Sequence, residues 1–148
     1  MSLRSRVATA AGLSTAELWL ALRATLALLR ARVDLPRVRL PDLQASLAAG
    51  RSRPADPVRA NAIRRAMQRA ARTLPRSTCL AQSIAAVRLL RAEALPVELT
   101  VGVARGAALH APANGVEAHA WVTSAGVFVA GGDDVSAYTE LTRIGAGA

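Results

Sequence analysis

The sequence predicts an α+β fold in which N-terminal helices pack on a small antiparallel sheet. Apolar residues recur every three or four positions up to about residue 94, and after Pro96 they alternate with polar ones. The chain has 148 residues, of which 52% are apolar and 3% aromatic. That length suits one compact domain with a core of alanine, leucine and valine, and the composition argues against an all-β fold.

The first predicted helix covers residues 15–32. Ser14 and Glu17 have the spacing of a capping box, which satisfies two free amides at a helix start. The helix is apolar around most of its circumference, so it is either buried or a docking surface for another protein. Pro36 and Pro41 then predict a loop over residues 34–54, with at most a short helix at 42–49.

Two more helices and three strands follow. Asp56-Pro57 starts a second helix that Pro75 ends, and Thr78 caps a third that ends near residue 94. The second helix carries Arg59, Arg64, Arg65, Arg69 and Arg72. The period of two predicts a half-buried strand at 97–103, and, after a loop at 105–115, a hairpin of strands 116–123 and 127–130.

The net charge of +9 comes entirely from arginine, and it is unevenly distributed. Residues 1–92 hold 17 arginines against four acidic residues, whereas residues 93–148 hold two arginines against six. The basic half suggests an acidic peptide, protein, nucleic acid or membrane surface as partner. The alternative is that these arginines simply form the solvated faces of helices.

No leader with a cleavage site opens the chain, and no apolar stretch is long enough to span a membrane. A single cysteine cannot form an internal disulfide, which fits a cytoplasmic protein. One cysteine and two histidines, His110 and His119, do not supply a tetrahedral zinc site without distant carboxylates. We therefore expect a cytoplasmic protein with no metal and no cofactor.

Cys79 would lie in the first turn of the third helix, where free amides and the helix dipole stabilise a thiolate. His119 lies on a predicted strand with Trp121 and Thr123 on the same face, and Asp133 or Asp134 follows the next strand. Taken one at a time, each residue also has an ordinary interpretation. Cys79 could be a small buried residue, His119 a histidine without a catalytic role, and Asp133 or Asp134 part of an acidic turn. Together they have the order of a nucleophile, a base and an orienting carboxylate.

Several strings of the chain resemble the lasso-peptide maturation proteases, which are transglutaminase-like leader peptidases. The resemblance covers about residues 55–142 and rests on residues 74–82 (LPRSTCLAQ), 88–91 (RLLR), 99–103 (LTVGV) and 118–122 (HAWV within AHAWV). It implies a papain/transglutaminase-like fold with Cys79 as nucleophile and His119 as base. The position matching the family aspartate, twelve after the histidine, is Gly131. Asp133 has the same strand parity, whereas Asp134 aligns with a following Asp-Val pair.

The resemblance further implies removal of a leader peptide from a ribosomally made precursor. We expect residues 1–54 to form an N-terminal helix and loop, and 55–148 the protease core, within one compact domain. Because no recognition domain fits, a separate leader-recognition protein is implied, together with a macrolactam cyclase. The alternatives are an acyltransferase on the same fold and an arginine-rich nucleic-acid module, against which the shortage of stacking aromatics argues.

Overall fold

The computed structural model describes residues 12–48, 52–104, 118–132 and 135–145. The helices are α1 (Thr15–Asp34), a 3-10 helix (Leu35–Arg37), α2 (Leu40–Ala48), α3 (Pro57–Thr73) and α4 (Cys79–Ala92). The strands are β1 (Glu98–Ala104), β2 (Ala118–Ser124), β3 (Val127–Ala130) and β4 (Tyr138–Gly145). The α+β class predicted from the sequence is confirmed.

The four strands form one antiparallel sheet in the order β3-β2-β1-β4. A two-residue turn joins β2 to β3, and its residues Ala125 and Gly126 have φ angles of 49° and 76°. Positive φ at both positions is what a tight hairpin turn requires, so the predicted hairpin is confirmed. Strand β1 pairs with β2 so that Gly102 lies opposite His119.

Helix α4 lies at the centre of the core. Eight of its 14 residues are buried, and the seven apolar ones among them belong to one cluster with Leu99, Ala120 and Val122 of the sheet. The face of β2 that carries Ala120 and Val122 is therefore the face covered by helices. The side chains of Asp56 and Thr78 accept the amides of Arg59 and Ala81, which confirms both predicted caps.

Helix α1 has two apolar faces. Its buried residues, Leu20, Ala24, Leu28 and Ala31, pack into the core. On the opposite side an exposed apolar row follows the helix: Trp19, Leu22, Leu26, Leu29 and Val33. The exposed fractions of Trp19 and Leu26 are 62% and 56%, so half or more of these large side chains meets water. Such a row is typical of a surface that binds another molecule.

Glu93, which follows α4, joins three helices through its carboxylate. It accepts two hydrogen bonds from Arg59 of α3, at 2.5 and 2.7 Å, and one from Arg23 of α1 at 3.4 Å. The hydrogen bond from Arg59 holds the pKa of Glu93 below its usual value. The cluster fixes the end of α4 against α1 and α3.

The short helix predicted at 42–49, within the loop over residues 34–54, is present as α2 (Leu40–Ala48). Helix α2 begins at Leu40, and Pro41 occupies its first turn, where a missing amide proton removes no hydrogen bond. The helix thus begins two residues earlier than predicted, and Pro41 lies inside its first turn. The predicted loop at 105–115 lies outside the described residues.

Strand β4 was not predicted from the sequence. It is an edge strand in which only Ile144 is buried among the described side chains, and a bulge opposite Val101 and Gly102 interrupts its alternation. A strand with one solvated face and a shifted register shows no clear period of two. Among the helices that the structure describes, none is long and apolar enough to cross a membrane.

Candidate active site

Cys79 is the first residue of α4, and its side chain is half-buried. The hydroxyl of Thr78 accepts a hydrogen bond from the amide of Ala81, and the carbonyl of Thr78 accepts one from the amide of Gln82. Within the described ranges no acceptor is recorded for the amides of Cys79 and Leu80. These two donors remain free at the positive end of the helix dipole, beside the thiol.

The turn before Cys79 is held by side chains on both sides of it. Ser77 donates its hydroxyl to the carbonyl of Leu74 at 2.7 Å, and Gln82 donates its amide to the carbonyl of Ser77 at 3.1 Å. Arg76 adopts a positive φ of 66°, which reverses the chain between α3 and α4. Gln82 therefore positions the turn that carries the nucleophile candidate.

His119 lies near the start of β2 with its ring half-buried between two aromatic side chains. Its ring centroid is 4.7 Å from that of Tyr138 and 6.1 Å from that of Trp121. Its Nε2 contacts the carbonyl oxygen of Gly131. Because a carbonyl oxygen only accepts, Nε2 carries the proton of the neutral ring, and Nδ1 keeps the lone pair that a base needs.

Gly131 can approach His119 closely because it has no side chain. Its φ is 94°, and a Cβ atom there would overlap the carbonyl of Ala120 and lie 2.5 Å from Cα of Trp121. Gly131 is also the position that the resemblance matches to the family aspartate. Because residue 131 is a glycine, it contacts the imidazole through its backbone carbonyl, where the family aspartate would offer a side-chain carboxylate. Asp133 and Asp134 lie outside the described residues.

Helix α4 and strand β2 run in the same direction. The hydroxyl of Ser83 donates to the carbonyl of Ala120 at 3.1 Å, and the hydroxyl of Ser124 donates to the carbonyl of Pro96 at 2.6 Å. The start of the helix therefore lies beside the start of the strand. Cys79, one turn before Ser83, and His119, one residue before Ala120, are at the same end of this layer.

The two candidate residues approach this end from different sides. Cys79 is on the helix, which covers the Ala120 face of β2, whereas alternation places His119 on the face with Trp121. In the part of the chain that the structure describes, no hydrogen bond joins the thiol to the imidazole. A catalytic hydrogen bond that is long or absent in the free enzyme can form when substrate binds.

A groove of about 250 Å³ lies between α3, the first turns of α4 and the end of β3. Its wall includes Gln82, three residues after Cys79, and its floor includes Gly131, whose carbonyl contacts His119. Arg64 and Arg72 of α3 also line the groove. The groove therefore reaches from α4, which carries Cys79, to the segment after β3 whose Gly131 carbonyl contacts His119.

Sequence reasoning did not identify Ser83, Tyr138 or the carbonyl of Gly131 as parts of this site. A serine inside a helix and a tyrosine after a turn carry no local pattern that indicates a role. Gly131-Gly132 did indicate a turn, because glycine readily adopts positive φ. Within the described residues, no three side chains of the metal-binding types lie close enough together to hold a metal ion.

The structure thus combines a cysteine at the start of the central helix with a histidine on a neighbouring strand of an antiparallel sheet. A family model described as the transglutaminase-like superfamily matches residues 22–143. The chain therefore belongs to this superfamily, whose members are usually cysteine peptidases or acyltransferases. No curated protein and no solved structure gives a significant match.

Proposed function

We propose that this protein is a cysteine peptidase that removes the leader from a lasso-peptide precursor. The observation that carries the proposal is the free thiol of Cys79 at the start of α4, with free amides beside it and His119 at the same end of the fold. Membership of the superfamily supports thiol chemistry. The strings around Cys79 and His119 that resemble the lasso-peptide proteases support the substrate class.

The reaction begins when the Cys79 thiolate attacks the carbonyl carbon at the junction of leader and core, after His119 has taken the thiol proton. The C–N bond then breaks, and His119 gives the proton to the departing amine of the core. Water, activated by the same imidazole, hydrolyses the leader thioester to a carboxylate and regenerates the thiol. The freed amine is the group that a macrolactam cyclase acylates next.

The free amides of Cys79 and Leu80 are our candidates for the oxyanion hole. They are fixed in the first turn of α4, so no reorganisation is needed when negative charge develops on the carbonyl oxygen. His119 would use Nδ1 as its base, since Nε2 is held by the carbonyl of Gly131. We retain Asp133 and Asp134 as candidates for the third catalytic group, in addition to that carbonyl.

Two partners belong to the proposal: a separate leader-recognition protein and the macrolactam cyclase. The exposed apolar row of α1 is the surface that we assign to the recognition protein, because it is continuous and lies opposite the face buried in the core. The arginines of α3 are suited to an acidic leader segment. We place the reaction in the cytoplasm, where the thiol stays reduced.

The direct test incubates the precursor and the recognition protein with the peptidase and follows both products by mass spectrometry. Cys79→Ala and His119→Asn should each abolish cleavage, while thermal unfolding shows that both variants remain folded. Cleavage by the Cys79→Ala variant at the wild-type rate would refute the proposed function.

An acyltransferase is the second candidate, because members of the superfamily include such enzymes and the thioester is common to both reactions. Adding a labelled primary amine to the same assay separates the two. Transfer of the leader acyl group to the amine in preference to water would assign the protein to the acyltransferases.

A further inference from the structure

The groove beside the candidate active site carries positive charge and, among its described lining residues, no negative charge. Arg64 and Arg72 line it, together with Gln68 and Gln82, and its apolar floor is formed by the end of β3. Two other arginines of the helical layer have acidic partners within the fold. Arg59 is paired with Glu93 at 2.5 Å, and Arg88 with Asp34 at 2.7 Å.

Arg64 and Arg72 differ from those arginines because neither forms an ion pair among the described residues. The buried Nε of Arg64, like the buried Nη1 of Arg88, also has no hydrogen-bond partner there. A buried donor of this kind normally has a partner, since leaving it unpaired costs about 1–3 kcal/mol. The guanidinium of arginine presents its donors in a planar fork that matches a carboxylate. A carboxylate in the groove would give the guanidinium of Arg64 the acidic partner that it lacks among the described residues.

The position of the groove indicates where on a substrate that carboxylate would be. Gln82 follows Cys79 by three residues, a rise of about 5 Å along the helix. Gly131, at the other side of the groove, contacts His119 through its carbonyl. A side chain entering the groove therefore belongs to a residue within about two positions of the scissile bond, since one extended residue spans about 3.4 Å.

We propose that this groove is a specificity subsite in which Arg64, assisted by Arg72, binds an acidic side chain of the peptide substrate close to the cleaved bond. The proposal rests on the proposed function, because it takes a peptide to be bound across Cys79. It adds a preference for aspartate or glutamate over the corresponding amides.

Peptide reagents that alkylate Cys79 provide the test. Each pair consists of two short peptides with the same reactive group, which is either a chloromethyl ketone at the C-terminus or a chloroacetyl group at the N-terminus. The two peptides of a pair differ at one residue only, which is glutamate in one and glutamine in the other. That residue is the first or the second from the reactive carbon. The thiolate displaces chloride, and the mass of the intact protein reports the reaction at its single cysteine. At one of these positions we expect the glutamate peptide to react about tenfold faster than its glutamine partner.

Arg64→Gln should reduce that ratio to about one. Arg65→Gln is the matched control, since Arg65 is an exposed neighbour that lines a different cavity and its loss removes the same charge. Equal rates for each glutamate and glutamine pair would overturn the proposal. A glutamate preference that survives in Arg64→Gln would overturn it as well.

A second measurement does not depend on thiol reactivity. In Cys79→Ala protein, acetyl-Ala-Glu-Ala-amide should shift the Arg64 Nε–H resonance in a saturable way, whereas acetyl-Ala-Gln-Ala-amide should not. The absence of that shift would overturn the subsite. The two proposals can fail separately. If the wild-type protein cleaves no precursor, the proposed function is refuted, whereas the peptide-induced shift would still show that the groove binds an acidic side chain.

Discussion

The imidazole Nε2 of His119 is held by the backbone carbonyl of Gly131, twelve residues further along the chain. This relationship determines which ring nitrogen of the neutral imidazole can act as a base. It also depends on the absence of a side chain at residue 131, because the chain passes directly against the peptide between Ala120 and Trp121.

Gly131→Ala should therefore disturb the orientation of His119. The new Cβ would overlap the carbonyl of Ala120 and lie 2.5 Å from Cα of Trp121, so the backbone of residue 131 must move. A displacement of about 1 Å at a catalytic group costs about 100-fold in rate. We expect a loss of kcat of that size, measured by mass spectrometry of precursor cleavage.

Gly132→Ala is the matched control for that variant. Gly132 also has a positive φ, 92°, but a Cβ there meets nothing within 4 Å. Both alanine variants bear the strain of a positive φ, about 1 kcal/mol, and only Gly131→Ala bears the overlap. Equal losses of kcat in the two variants would contradict a role for the Gly131 carbonyl.

Ser83→Ala should affect both stability and activity. It leaves the carbonyl of Ala120 without the hydroxyl that now reaches it at 3.1 Å, which should lower the free energy of unfolding by about 1–3 kcal/mol. Since this bond joins the helix that carries Cys79 to the strand that carries His119, we also expect kcat to fall. Urea unfolding and the cleavage assay measure the two effects.

Ser124→Ala serves as the comparison, because its hydroxyl makes a similar bond to Pro96 at the far end of the same layer. It should reduce stability by a similar amount and leave kcat of the remaining folded protein unchanged. A parallel loss of kcat in both serine variants would show that the effect of Ser83 is only one of stability.

Glu93→Gln should make stability less dependent on pH. Because Arg59 lowers the pKa of Glu93 in the folded protein, the ionised carboxylate stabilises the fold at pH values above its unfolded pKa of about 4.3. That contribution is lost as the pH falls through the lower, folded pKa. Near pH 7 we expect the variant to be about 1 kcal/mol less stable, a figure reduced for the partial exposure of Arg59.

Urea unfolding of wild type and Glu93→Gln between pH 7 and pH 3 checks this sign, since the difference should shrink towards the acid end. Glu140→Gln is the control, because Glu140 and its partner Arg143 form an exposed pair on β4. A difference between wild type and Glu93→Gln that grows as the pH falls would contradict the assigned ion pair.

Leu26→Gln and Leu28→Ala should separate the two faces of α1. Leu26 is 56% exposed in the apolar row, so its replacement should leave unfolding nearly unchanged and weaken binding of the recognition protein. Leu28 is fully buried, and its truncation should cost about 2–5 kcal/mol. Isothermal calorimetry and urea unfolding measure the two effects, and unchanged binding by Leu26→Gln would remove the row from the interface.

Local signals predicted the elements that local interactions determine. Ser14, Asp56 and Thr78 each cap a helix through bonds to residues three positions away, so their meaning can be read within one turn. Ala125 and Gly126 form the hairpin turn for the same reason. The start of α2 lies two residues before its predicted position, because a proline can either precede a helix or occupy its first turn.

The sequence alone determined the order of the helices and of strands β1 to β3, the start of α4 at Cys79 and the face of β2 that carries His119, because periodicity and caps depend on neighbouring residues. Only the tertiary structure placed the carbonyl of Gly131 at the imidazole, Ser83 against Ala120, and Arg64 in the groove beside Gln82. These contacts join residues far apart in the chain. They depend on how α3 and α4 pack against β2 and β3, and no local pattern records that packing.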